Sequence, residues 1–315
     1  MKAVLLTGHG GPDKLVYGEA PDPVAEAGEV VVDVYAASVN AADYKVRLGG
    51  GAYSGASHLK FPYILGRDFS GIVSWRGPGV SDVAIGDPVF GVMDQGIEGC
   101  YAEKVKIAAS IVARKPDPLD HPEAAAMALT GITAIWALED TAKLQPGETI
   151  LIHGGAGGVA GFAIQLARHL GATVITTASQ RNHDYVRSLG ADRVIDYNSE
   201  DFTSRVAACD VVFDTVGGEV QARSYAVLRS GGRLVWIAPA PAGFQPPRSD
   251  VEVLRPLVAR DRAHLERITG LLAARAVWPP HITGYPLADA ATAHRVSEGR
   301  HLQGKLVLIV RSSAH

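Results

Sequence analysis

Gly154, Gly155, Gly157, Gly158 and Gly161 fall within eight residues, between the β-branched run Thr149-Ile150-Leu151-Ile152 and the apolar, helix-favouring Phe162-Ala163-Ile164-Gln165-Leu166-Ala167. Glycines alone mean little; strand, tight turn and helix in that order mean more. Gly155-x-Gly157-x-x-Ala160 fits the G-x-G-x-x-G/A form, whose third place tolerates one methyl group where helix packs on strand. On this reading Gly155 permits the turn and Gly157 lets the backbone approach a pyrophosphate. Gly158, Val159 and Ala160 then open a helix whose unpaired N–H groups and positive dipole end favour an anion. That is the chemistry of a dinucleotide site.

The following strand points to the type of dinucleotide. NAD-selective sites of this kind carry an acid about 20 residues past the glycines, where it accepts hydrogen bonds from the adenosine ribose. Here the segment Thr176-Thr177-Ala178-Ser179-Gln180-Arg181-Asn182 has no acid at its tip. Ser179, Arg181 and Asn182 are donors suited to a 2′-phosphate, and Arg181 brings the charge. NADPH is the expected cofactor.

Other chemistries find no support. Cys100 and Cys209 are the only cysteines, which excludes a four-Cys metal site and a disulfide framework. The histidines show no H-E-x-x-H spacing, and no G-x-S-x-G nucleophile elbow occurs. Gly299-x-x-x-x-Gly304-Lys305 mimics a phosphate loop, but Leu306 lacks the Mg²⁺-binding hydroxyl and the segment precedes a strand. A chain of 315 residues, 47% hydrophobic and 20% charged, can form two domains around sizeable cores. Its net charge of −3, without a basic block, argues against nucleic acid or an anionic membrane as partner. No apolar stretch reaches the ~20 residues of a membrane span, so a cytoplasmic protein is expected.

The fold expected is α/β: a doubly wound parallel Rossmann domain plus a β-rich, barrel-like domain. Residues 1–119 read as short β-rich runs separated by Gly, Pro and Asp, with no long helix and with long loops between Asn40 and Arg67. Asp120 can cap a helix with Pro122 in its first turn. Strands and helices then alternate from residue 149 to residue 238, which implies a parallel sheet with crossover helices. Residues 250–254 read as a sixth strand, 262–274 and 287–297 as helices, and 305–310 as a strand paired with the N-terminal half. The β-rich domain is therefore discontinuous, 1–119 with 260–315, around a dinucleotide domain at 120–259. The Pro-rich run 238–247 is either a cover over the cofactor, with Phe244 as a pocket wall, or a stiff connector.

Ser38-Val39-Asn40-Ala41-Ala42-Asp43-Tyr44-Lys45-Val46-Arg47, Gly66-Arg67-Asp68-Phe69-Ser70-Gly71 and Ala156-Gly157-Gly158-Val159 occur in that order. Thr130-Gly131-Ile132-Thr133-Ala134, Leu189-Gly190-Ala191-Asp192, Phe213-Asp214-Thr215-Val216-Gly217-Gly218 and Gly304-Lys305 extend the series. With these motifs the chain resembles, nearly end to end, the zinc-independent quinone oxidoreductases of the medium-chain dehydrogenase/reductase superfamily. It departs at Ala160, where that family has a final glycine.

The resemblance implies a GroES-like catalytic domain and an NADPH-dependent reductase of quinones or α,β-unsaturated carbonyls, with the cofactor in the cleft between domains. It implies cofactor contacts from Thr133, from Tyr197 at the adenosine end and from Ile237 and Ala238 at the nicotinamide. A homodimer through the edge strand between Val251 and Leu254 is implied as well. Zinc-dependent relatives hold their metal with Cys and His, but the Asn40 region has no Cys and Arg67 stands where their His would be; a guanidinium cannot ligate Zn²⁺. Quinones and enones are electron-poor enough to accept hydride without a metal. Asn40, Tyr44 and Tyr53 are the candidate catalytic side chains: Asn40 as a donor to substrate oxygen or ribose, the tyrosines as donors or stacking surfaces. Against these stand a turn-capping Asn40 and tyrosines that merely fill the core or surface. Asp43 and Arg47 read as a structural ion pair, with Arg67 joining it. The alternatives are an NADPH-binding sensor or structural protein with little turnover, and reduction of enoyl thioesters.

Overall fold

The computed structural model describes residues 1–50, 59–94 and 96–311. Within these the chain forms two compact units, one of Met1–Leu129, Ala259–Gly270 and Pro279–His315, the other of Thr130–Val258 and Leu271–Trp278.

The first unit opens with β1 (Lys2–Leu6), β2 (Leu15–Glu19) and the long β3 (Glu29–Val39), then a short helix α1 (Ala41–Arg47). β4 (Tyr63–Ile64), β5 (Asp68–Arg76), β6 (Pro88–Val92), β7 (Lys104–Ala108) and β8 (Val112–Arg114) follow. β2, β1 and β4 form a small sheet, and β3 sits inside the larger one, paired antiparallel with β5 and β7. Eight of its eleven residues are buried, which is why it reads as a nearly unbroken apolar run rather than an alternating one. α1 is an addition to the expected loop: the Asn40 N–H donates to Asp43 Oδ2 at 2.8 Å, the reach-back of an N3 acid to its cap.

α2 (His121–Ile135) begins as its sequence requires. Asp120 Oδ1 accepts from the Glu123 N–H at 2.7 Å, and Glu123 Oε2 accepts from the Asp120 N–H at 2.9 Å.

The second unit alternates β9 (Thr149–Ile152), α3 (Gly158–His169), β10 (Thr173–Ala178), α4 (His183–Ser188), β11 (Arg193–Asp196), α5 (Phe202–Arg205), β12 (Cys209–Asp214), α6 (Glu219–Ser224), β13 (Leu228–Trp236) and β14 (Glu252–Leu254). All six strands are parallel, in the order β11-β10-β9-β12-β13-β14. Counted from β9 this is 3-2-1-4-5-6, the doubly wound order whose direction reverses at the first strand. Ile175, Leu151, Val212 and Leu234 are register partners in adjacent strands and form one buried row across the sheet. Two helices are shorter than expected: residues 199–207 yield only Phe202–Arg205, and 218–228 end in a 3₁₀ turn.

The chain then returns to the first unit. α7 (Arg262–Ala273) leads to β15 (Ile282–Pro286), α8 (Ala290–Glu298) and β16 (Lys305–Ile309). β16 pairs antiparallel with β3, Leu306 opposite Val39, so the C-terminal segment completes the N-terminal sheet. Among the described residues no helix is long and apolar enough to cross a membrane.

Candidate active site

The glycine turn lies between β9 and α3, at the C-terminal edge of the sheet beside the reversal in strand order. That is where open α/β sheets bind ligands. One detail differs from the sequence reading. The left-handed residue of the turn is Gly154, at φ +75°, not Gly155. Gly155 is required by space: a Cβ there would lie 2.2 Å from Thr176 Oγ1. At Gly157 the nearest atom to an added Cβ is the Gly154 oxygen, 3.4 Å away. Gly157 caps α3, so the N–H groups of Gly158, Val159 and Ala160 start the helix without intrahelical acceptors. They are the donors available to a pyrophosphate.

At the tip of β10, Ser179 is half-buried and Arg181 is exposed, with no acid between them. Asn182 is not the free donor expected. It is buried, and its Nδ2 donates to Ser179 Oγ at 3.3 Å, so it shapes the turn that presents Ser179 and Arg181. Asp196, at the tip of β11, is satisfied locally by the Asn198 N–H at 3.1 Å and by the Ser199 hydroxyl. Tyr197 beside it is exposed. Thr133 is buried on α2, and Ala238 is buried just past β13, where the Ile237 N–H donates to the Asp214 oxygen at 3.0 Å. The glycine turn and the first N–H groups of α3 fit a dinucleotide.

In the first unit, Asn40 sits at the junction of β3 and α1. Its Nδ2 donates to Asp68 Oδ1 at 2.8 Å and its Oδ1 accepts from Lys305 Nζ at 2.8 Å. Both ends of the amide are engaged, and its orientation is fixed. Asp68 also accepts from Ser38 Oγ, and Lys305 donates to the Val39 oxygen at 2.9 Å. Burial raises the Asp68 carboxyl and lowers the Lys305 ammonium, each against the attraction of the other. Tyr44 is buried on α1, and Tyr53 lies outside the described residues.

Asp43 does not pair with Arg47. It turns back to the Asn40 N–H, accepts from Tyr101 Oη at 2.8 Å and lies 3.3 Å from Arg67 Nε. Arg47, one turn later on the helix, instead reaches Glu298, the Gly10 oxygen and His294. Arg67 is shared, its Nη2 standing 2.6 Å from Glu98 Oε1. Glu98 Oε2 is buried and has no hydrogen-bond partner among the described residues. Burial, opposed by Arg67 and reinforced by Asp43, pushes the Glu98 carboxyl up to about 7. Sequence reading missed Glu98 and Tyr101 and the partners of Lys305, all of which lie far away along the chain. Among the described residues no group of three or more His, Cys, Asp or Glu is arranged to hold a metal ion.

Residues 26–117 match the alcohol dehydrogenase GroES-like domain and residues 189–308 the zinc-binding dehydrogenase family. The quinone oxidoreductase from Coxiella burnetii is 35% identical, superposes with a TM-score of 0.91 and covers 99% of both chains. The chain belongs to the medium-chain dehydrogenase/reductase superfamily. Other solved structures similar to it include a mycobacterial protein complexed with NADPH, at 31% identity and a TM-score of 0.87 over 98% of this chain and 100% of that one. The CurK enoyl reductase gives 27% identity and a TM-score of 0.87 over 98% and 99%. A mycocerosic acid synthase-like polyketide synthase of Mycobacterium tuberculosis is 33% identical over 305 residues, covering 90% of this chain and 14% of that protein. The chain thus spans about one seventh of the length of the first curated relatives it matches.

Proposed function

We propose that this superfamily member is an NADPH-dependent reductase that delivers hydride to quinones or α,β-unsaturated carbonyls without zinc. The observation that carries the reading is Arg67, a guanidinium clamped between Asp43 and Glu98 at the position where zinc-dependent relatives place a ligand. Neither it nor the engaged amide of Asn40 supplies a metal ligand. Without a strong Lewis acid, the acceptor must itself be electron-poor, which favours quinones and enones over simple ketones.

The bound reduced nicotinamide supplies the hydride. The chain's residues bind and orient: the first N–H groups of α3 hold the pyrophosphate, and Ser179 and Arg181 hold the 2′-phosphate. Thr133, Tyr197, Ile237 and Ala238 are the further cofactor contacts we propose. Tyr44 and Tyr53 are proposed to line the acceptor site, with Asn40 set in place by Asp68 and Lys305. The exposed edge strand β14 is the surface proposed for a second copy.

Enoyl-thioester reduction is the second reading, favoured by similarity to the CurK enoyl reductase and to polyketide synthases. A panel of quinones, free enones, enoyl thioesters and simple ketones, assayed with NADPH and NADH and with or without a chelator, tests both. Chelator-resistant oxidation of NADPH by quinones or free enones supports the first reading. A strong preference for the thioester, by 100-fold or more in kcat/KM, supports the second. Cofactor binding without turnover of any acceptor contradicts both and leaves a sensor.

A further inference from the structure

His153 closes β9 immediately before the glycine turn. Its backbone is tied on both sides, the N–H donating to the Phe213 oxygen at 3.0 Å and the oxygen accepting from Thr215 Oγ1 at 2.8 Å. Its imidazole is 1% exposed, with the Phe202 ring edge-on at 4.7 Å between centroids. Nδ1 lies 3.2 Å from Thr177 Oγ1 and Nε2 lies 3.1 Å from Ser224 Oγ.

The directions of these bonds follow from the partners. An amide can only donate, so the Gly154 N–H, 3.1 Å away, makes Thr177 Oγ1 an acceptor, and the hydroxyl keeps one proton and one lone pair for His153 Nδ1. At the other end Ser224 Oγ donates to the Val220 oxygen at 2.7 Å, so it accepts from His153 Nε2–H. The chain therefore runs from Gly154 through Thr177, His153 and Ser224 to Val220. The Ser224 end requires a proton on Nε2, and in a neutral imidazole Nδ1 is then the acceptor of the Thr177 hydroxyl proton. Burial, with the imidazole 1% exposed, disfavours the imidazolium and holds the His153 pKa down at about 3. A second tie, from the Gly155 N–H to the Thr177 oxygen at 2.9 Å, pins the next residue of the turn.

We propose that His153 and Thr177 are positioning residues for the dinucleotide phosphates: the directed chain fixes Gly154 in its left-handed conformation and thereby sets where α3 begins. The inference rests on the reading of the turn as a phosphate site. Neither side chain touches the cofactor in this proposal; both act through the backbone of Gly154 and Gly155.

The test is the affinity for NADPH, measured by fluorescence titration, in Thr177→Val and Thr177→Ser. Valine keeps the shape but orphans the Gly154 N–H, and a lost hydrogen bond of this kind raises Kd about tenfold. Serine restores the hydroxyl and with it wild-type affinity, while kcat at saturating NADPH stays unchanged in both. Valine and serine variants of equal affinity overturn the proposal, since a merely structural role moves the melting temperature and not Kd. The imidazole ¹⁵N shifts of the wild-type protein give a readout that needs no variant. The proposal requires protonation on Nε2 alone between about pH 5 and 8, and an Nδ1–H tautomer or an imidazolium there overturns it. Failure of the wild-type protein to bind NADPH would instead strike the proposed function, and the tautomer measurement would still stand.

Discussion

Glu98 makes folding stability depend on pH in a way that one substitution can isolate. Buried Asp43 and Asp68, with Glu98, whose side chain is 4% exposed, form a network of three carboxylates with two buried cations, Arg67 and Lys305. Full ionisation leaves this group with one excess negative charge away from water, which a proton relieves. Asp43 and Asp68 each collect several donors, whereas among the described residues Glu98 has Arg67 on one oxygen and none on the other. The proton therefore belongs on Glu98, whose carboxyl moves from 4.5 to about 7 on folding. Below the unfolded value both states are protonated and the group costs nothing. As pH rises toward 7 the unfolded chain releases its proton first, so stability is lost across that window. At 1.36 kcal/mol for each pH unit the full loss is about 3 kcal/mol, reached above pH 7. Glu98→Gln cannot titrate and keeps an acceptor for Arg67. Urea unfolding of both proteins at several values between about pH 4.5 and 8 should show the wild type losing up to about 3 kcal/mol relative to the variant. A difference that stays constant over this range refutes the assignment of the proton to Glu98.

Three further outcomes separate the parts of the site. Gly155→Ala pushes a methyl group against Thr176 Oγ1, itself bonded to the Ile152 oxygen at 2.7 Å, and should destabilise the fold by about 1–3 kcal/mol in thermal melts. Gly157→Ala has room in the protein, so it should melt like the wild type but lose NADPH affinity in a titration; unchanged affinity would remove Gly157 from the phosphate contact. Arg181→Ala should raise the Kd for NADPH about tenfold, a charge-assisted hydrogen bond at an exposed position, and leave NADH binding unaltered; equal effects on both would show that Arg181 does not read the 2′-phosphate. Lys305→Met removes a buried cation from Asn40 and Asp68 and should cost about 3–5 kcal/mol in denaturant unfolding, while a near-neutral change would mean that Asp68 is already protonated.

The doubly wound sheet was legible because its signals are local: β9, the glycines and α3 are contiguous, and the acid-free tip of β10 is read from a few adjacent residues. The beginnings of α2 and β16 were legible for the same reason, through Asp120 with Pro122 and through the apolar run after Lys305. What failed depended on distance. Asp43 and Arg47 have helical i, i+4 spacing, yet Arg47 finds Glu298 and His294 from the far end of the chain. The roles of Gly154 and Gly155 were exchanged because only the backbone shows which one takes a positive φ and which one faces Thr176. Phe244 was left open as cover or connector. It packs on Tyr225, with ring centroids 5.7 Å apart, and joins the cluster of Trp236 and Val251, so it anchors the Pro-rich run to its own sheet. His153 carried no sequence signal, since the hydroxyls it meets come from β10 and α6.

The central claim is hydride transfer from NADPH to an electron-poor acceptor without a metal. It is tested most directly by following the loss of NADPH absorbance with a small quinone before and after exhaustive dialysis against a chelator, with NADH in parallel. Equal rates before and after dialysis, and kcat/KM about tenfold or more higher for NADPH, are predicted from Arg67 and Arg181. Activity that disappears on dialysis and returns with Zn²⁺ would contradict the role given to Arg67, and a preference for NADH would contradict the role given to Arg181.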